Sequence, residues 1–279
     1  FNPPFDWENN LLVSEMDDGN MGSLYLYPSG LTENSQRAFG QQISEYIFKD
    51  IDNVRISFAV GRDGNALVPV ENARVYNYLP TELRLGFSFL FNADFVPNGS
   101  RSGLHDVNWN DQIMEQCGSQ FADWWVSFLQ KENEYDMNSV FNILPAFESR
   151  DKYAKLFLKG FSERIVELPC IPTLRDGKYH LVKLSDTLFD KIGFIACESP
   201  VLTDEELYEF SDTTGSLPHP TIRCNENLIR LLKKFDCCIP FASNDLSQLC
   251  FEEDFQNWLA KDNHDYLFLG YLLESGYIM

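Results

Sequence analysis

Arg101, in the run Asn98-Gly-Ser-Arg-Ser-Gly-Leu-His105, is the residue of this chain best suited to act on a ligand. A guanidinium is permanently charged and can grip two oxygens of a phosphate or carboxylate at once, so on a loop it suits an oxygen-rich anion. The same side chain could instead be a surface cation paired with a carboxylate such as Asp106, and the spacing leaves both readings open. Little else is arranged for catalysis. The chain has no GxxxxGK[ST], HExxH or GxSxG run and no dinucleotide fingerprint. Its four histidines, His105, His180, His219 and His264, are dispersed without a cysteine or carboxylate at ligand spacing, so no metal site is expected. Asp17-Asp-Gly-Asn-Met-Gly22 has the composition of a polar turn.

The elements around Arg101 place it on a loop. Phe87, Phe89, Phe91, Ala93 and Phe95 alternate with the period of a strand that buries one face. Pro97, Asn98 and Gly99 break that strand. Asn108 is a suitable cap for a helix from Trp109 to about Glu132, with Ile113, Cys117, Phe121, Trp124 and Phe128 on one face. Ser100 and Arg101 thus fall in a strand-to-helix loop, where a rigid scaffold leaves side chains able to reach a ligand. Upstream, a helical pattern runs from Arg37 to near Asp50, and Val54 to Val60 alternate as a half-buried strand. The Gly61–Gly64 turn leads to a return strand over 67–70, and 75–79 continues the sheet. Downstream come a helix over 150–165 and a hairpin over 174–182 turning at Asp176-Gly177. A capping box follows at Thr203-Asp-Glu-Glu206, and the last helix, apolar over 265–274, has Gly276 as its stop. The fold class is α/β (α+β), a β-α-β sheet unit followed by a mostly helical extension. Three segments are expected: a leader or linker over 1–36, an α/β middle domain over 37–145, and a mixed, mostly helical second domain over 146–279.

Composition narrows the partners. With 22 basic and 42 acidic residues, the formal net charge is −20. Such a surface repels nucleic-acid phosphates and anionic lipid, so neither is an expected partner. The apolar run Tyr266 to Leu273 is too short to span a bilayer. Seven scattered cysteines suit reduced thiols in a cytoplasmic protein, and Cys237-Cys238 reads as small apolar core filler. Arg150, Lys152, Lys155, Lys159 and Arg164 gather on one helix, either as a solvated face or as a dock for an acidic partner. At least one ring of Trp124-Trp125 belongs in a core, and the other could line a contact between domains. The chain opens on Phe1-Asn-Pro-Pro, as expected of a piece of a longer polypeptide.

Leu79-Pro-Thr-Glu82, Phe87-x-Phe-x-Phe-Asn-Ala-Asp-Phe95, Ser100-Arg101, Leu104 and Trp109-Asn110 together resemble large proteins of the sacsin and NO VEIN type. Thr173-x-x-Asp-Gly-Lys178 and Phe255-x-x-Trp-Leu259 resemble elements further along such proteins. The likeness is specific over about 54–130 and looser over 145–279. These proteins carry an ATPase domain of the heat-shock-chaperone/gyrase/histidine-kinase/MutL superfamily. The resemblance implies a transducer-like middle segment of a chaperone-like ATPase. ATP and Mg would be held mainly by a nucleotide-binding domain N-terminal to this segment, which would be its partner, with a homodimer possible. Asn98-Gly-Ser-Arg101 is also similar to the Asn-x-Ser-Arg loop in the middle domain of the ninety-kilodalton heat-shock chaperones. That likeness gives Arg101 contact with the γ-phosphate, Asn98 a supporting role, and Ser100 and His105 places beside the nucleotide. The chain departs at His105, where those chaperones have a glutamine, and at Ser102, where they have an acidic residue. The segment alone is then expected to be inactive and to bind ATP weakly or not at all. The alternative is a non-catalytic protein-interaction module of a large multidomain protein.

Overall fold

The computed structural model describes the backbone of residues 11–18 and, in full, residues 54–175, 177–195, 201–211, 214–261 and 263–276. Among them are eight α-helices and three small sheets, an α+β fold. The chain divides into two compact units, up to Leu168 and from Pro169 onward. That division corrects the expected boundary at 145/146.

In the first unit, β1 (Leu11–Asp18) lies antiparallel to β2 (Val54–Asp63), from Leu11 opposite Gly61 to Asp18 opposite Val54. Residues 11–18 are therefore sheet, where a leader was expected over 1–36. The helix expected over 37–50 and the strand-like run over 24–27 lie outside the described residues. A hairpin joins β2 to β3 (Ala66–Val68), with Pro69 just past the short strand. The other partner of β2 is β6 (Leu90–Asn92), antiparallel. Beyond β6 come β4 (Val75–Asn77), parallel to it, and β5 (Leu79–Pro80), antiparallel to β4. The strand expected over 87–95 pairs only over β6, yet Phe87, Phe89, Phe91, Ala93 and Phe95 are all buried. Alternation puts their rings on one face, while Leu90 on the other packs with Ala59, Val70 and Ala73.

Three helices cover the aromatic face: α1 (Asn108–Leu129), α2 (Met137–Asn142) and α3 (Lys152–Ile165). Phe58 stacks on Trp124 at 5.2 Å and Phe89 on Phe121 at 4.1 Å, while Phe87 meets Phe157 at 4.6 Å. Trp125 is also in this core, edge-on to Phe141 with its indole N–H donating to the Val140 carbonyl at 2.8 Å, so neither tryptophan is left for another domain. Helices α1 and α3 cross where each carries a glycine. A Cβ on Gly118 would lie 1.9 Å from the Phe157 carbonyl oxygen, and one on Gly160 1.8 Å from that of Glu115. Charge pairs flank the crossing: Lys152 with Asp106 and Asp111, Lys159 with Glu115 at 2.9 Å, and Arg164 with Asp123 at 2.8 Å. Three of the five basic residues singled out in the sequence thus pair within the unit. Helix α3, expected to open the second domain, completes the first.

The second unit begins with the expected hairpin, β7 (Ile171–Arg175) and β8 (Lys178–Val182). A parallel pair follows, β9 (Leu188–Asp190) with β10 (Ile239–Phe241). The helices are α4 (Asp204–Phe210), α5 (Glu226–Lys234), α6 (Ser243–Leu249), α7 (Glu253–Leu259) and α8 (His264–Glu274). The capping box opens α4 as read: the Thr203 side chain accepts from the Glu206 N–H, and Glu206 accepts from the Thr203 N–H at 2.9 Å. Phe194, Phe241, Phe255 and Trp258 centre the core. Buried Arg223 donates to the Pro218 carbonyl at 2.7 Å and pairs with Asp204. Of the cysteines, Cys170 is buried, whereas Cys237 is exposed and Cys238 half-buried, so the adjacent pair is not core filler. Burial, with Cys237 beside it, pushes the Cys238 thiol up to about 12. No described helix is long and apolar enough to cross a membrane.

Candidate functional site

The loop from Pro97 to Val107 joins β6 to α1, as the sequence predicts, and Asn110 fastens both of its ends. This fully buried amide accepts from the Val96 N–H at 2.8 Å and donates to the Val96 and His105 carbonyls at 2.9 and 2.7 Å. Burying an amide is costly unless it is bonded, and three bonds here meet that cost. The Trp109 indole adds a bond to the Asp94 carbonyl at 2.7 Å. Helix α1 begins after Val107, with no side-chain cap there, so Asn108 is its first residue and not its cap.

Asn98 closes the loop on itself. Its side-chain oxygen accepts from the Ser100 hydroxyl at 3.2 Å and the Gly103 N–H at 3.3 Å, and its amino group donates to Ser102 Oγ at 2.9 Å. Its carbonyl accepts the Arg101 N–H at 2.9 Å. Arg101 takes the left-handed backbone region at φ 57°, uncommon outside glycine. Its guanidinium turns away from Asn98 and Ser100 toward the β4–β5 corner, where Nη2 donates to the carbonyls of Asn77 at 2.7 Å and Leu79 at 2.9 Å. The Arg101 carbonyl accepts the Glu82 N–H at 2.9 Å. The Arg101 Nε is buried with no hydrogen-bond partner among the described residues. His105 is exposed, and its carbonyl accepts from Asn110 and from the Tyr153 hydroxyl at 3.0 Å. Burial pushes the Tyr153 phenol up to about 12, outweighing the pull of Lys152. Of the four residues singled out, the Asn98 and Ser100 side chains meet directly and Arg101 joins Asn98 only through its backbone N–H, while the Arg101 guanidinium and His105 bond elsewhere.

Sequence reasoning missed Tyr78. It lies between the two carbonyls that Arg101 holds and is itself left-handed at φ 57°, a true outlier for a bulky residue. Its N–H donates to Asn92 Oδ1 at 2.7 Å and its hydroxyl to Asp94 Oδ1 at 2.8 Å. The hydrogen bond to the Asp94 carboxylate raises the phenol pKa above its ordinary value. Tyr78 is nonetheless 77% exposed, and Leu79 beside it is exposed too. Asn77 steadies the corner by donating to the Phe95 carbonyl at 2.6 Å. What these contacts build is a stiff projecting tip of Tyr78 and Leu79. No local pattern announces it: a Tyr-Leu-Pro run is compatible with extended backbone throughout.

Residues 1–68 match a family model described as a domain of unknown function (DUF6984). The match spans β1, β2 and β3, crossing the boundary expected at 36/37. No curated protein and no solved structure matches the chain. Among the described residues, no group of three or more His, Cys, Asp or Glu side chains could hold a metal ion.

Proposed function

We propose that this chain is a non-catalytic protein-interaction module, presenting the Tyr78–Leu79 tip to a protein partner. One observation carries the reading: the arginine best suited to grip an anion is bonded to the carbonyls on either side of an exposed, left-handed tyrosine. Strained backbone persists where surrounding bonds over-determine it, and such positions cluster at functional sites. An exposed aromatic and leucine held rigid lose little conformational entropy on contact, which favours recognition. A photo-crosslinking amino acid at position 79 tests it. It should give a discrete adduct in cells, lost when Arg101 is changed to Ala; adducts indifferent to Arg101 would overturn the proposal.

A second reading is the transducer-like segment of a larger chaperone-like ATPase. Here Arg101 would serve the γ-phosphate of ATP, which with Mg would be held by a nucleotide-binding domain outside this chain. What favours it is that no carboxylate pairs with Arg101 among the described residues. A phosphate oxygen, as a charged acceptor, would outcompete a neutral carbonyl for Nη2. ATP turnover by a protein carrying both parts, cut far more than ATP affinity by Arg101→Ala, would support it. Unchanged turnover would remove it.

A further inference from the structure

Among the described residues, three glycines lie inside helices: Gly118, Gly160 and Gly270. A mid-helix glycine is unfavourable against alanine, so each needs a reason. For Gly118 and Gly160 the reason is the α1–α3 crossing, where a Cβ would strike the facing backbone. Gly270, in α8, has no such reason among the described residues, where a Cβ meets nothing within 4 Å.

The face on which Gly270 lies is open, and apolar except for exposed Glu274 four residues on. Phe268, Tyr271 and Leu272 pack inward on the second unit's core. Tyr266, Leu267, Leu269 and Leu273 are exposed. Tyr266, Gly270 and Leu273 follow one another at i, i+4 and i+7, so they form one seam on the side opposite Phe268 and Leu272. The glycine is a notch in the middle of that seam. In unit one the same device, a glycine within an apolar helix surface, brings a second helix to backbone contact.

Charge decides what kind of helix could fill it. The described exposed charges from Glu252 to Glu274 are five acids (Glu252, Glu253, Asp254, Asp265 and Glu274) and one lysine, Lys261. A second copy of this chain would bring the same acids and another −20 of net charge to the contact. A basic helix would do the reverse, as α3 does on α1, where Lys152, Lys159 and Arg164 meet Asp111, Glu115 and Asp123 beside the glycines.

We infer that α8 is a docking face for an amphipathic helix with an apolar stripe and a basic rim, supplied by a partner protein and crossing α8 at Gly270. The inference rests on the interaction-module reading but uses a different unit from the Tyr78 tip, so the two can fail separately.

The test uses the whole chain and a labelled model helix of about 18 residues, some five turns, with leucine on one face and lysine on the other. Fluorescence anisotropy should show saturable binding that salt weakens. Gly270→Leu fills the notch and should weaken binding about tenfold or more, while the thermal midpoint stays level or rises because leucine is the better helix former. Leu273→Ser should weaken it comparably, and Arg101→Ala should leave it unchanged. Equal binding by the Gly270→Leu chain, or by a peptide with glutamate in place of lysine, would overturn the inference. So would a concentration-dependent dimer abolished by Gly270→Leu, which would assign the face to a second copy.

Discussion

Arg101 and Tyr78 make opposite predictions although they share one corner. Arg101 supplies two side-chain bonds to backbone carbonyls, and charged donors in such bonds contribute about 1.5–3 kcal/mol. Arg101→Ala should therefore lower unfolding stability of the first unit by about 1–3 kcal/mol in a denaturant titration. Arg101→Lys should recover only part, since an ammonium cannot reproduce the flat geometry of the guanidinium. Tyr78 is strained where Arg101 is bonded. Its left-handed φ suits glycine, and its ring is mostly in water. Tyr78→Gly should leave stability level or raise it by up to about 1 kcal/mol, because relief of strain offsets the lost exposed bond to Asp94. If Tyr78→Gly destabilised as much as Arg101→Ala, the ring would be a packing element and not a presented one.

At the scale of elements, two helix features are open to test. Helix propensity alone favours Gly118→Ala and Gly160→Ala by about 1 kcal/mol. The crossing says the opposite, since the new methyl would overlap a carbonyl oxygen that belongs to rigid backbone. Each variant should lose more than about 2 kcal/mol, and calorimetry showing a gain would refute the close crossing. The second feature is the start of α4. Burial pushes the Glu206 carboxyl up, but bonds from the Thr203 N–H, the Trp258 indole at 2.7 Å and the Thr203 hydroxyl together hold it below its ordinary value of 4.5. A carboxylate with a lowered folded pKa lends stability above its unfolded pKa, and that stability is lost as pH falls through the folded value. Stability should therefore fall more steeply below about pH 4.5 in the parent chain than in Glu206→Gln, measured by denaturation across acid pH.

For the whole molecule, the two units have cores built from separate stretches of chain, so unfolding should not be a single two-state event. Gly118→Ala should shift the transition of the first unit alone. Trp258→Ala, which opens a cavity in the second core, should shift the other. Coincident shifts of both transitions in both variants would show that the units unfold as one. The charge of −20 belongs to the whole chain, and on the inference drawn above it disfavours polyanions and favours a basic helix.

What the sequence by itself determined is everything carried by short-range pattern. Period-two alternation marked β2 and the buried Phe87–Phe95 run, the 3.6 period marked α1 and α3, and an apolar run stopped by Gly276 marked the final helix. Thr203 and Glu206 marked a helix start because both halves of that cap lie within one turn. The loop carrying Arg101 was legible for the same reason, bounded as it is by Pro97, Gly99 and an apolar helix. Only the tertiary structure decided what Arg101 bonds to, because its acceptors are 24 and 22 residues away and are backbone carbonyls, which no residue type announces. Residues 11–18 pair with β2 through main-chain groups that every residue carries, so their composition suggested a leader. Helix α3 joined the first unit because Gly118 and Gly160 let two backbones touch, a complementarity that exists only once both helices are in place.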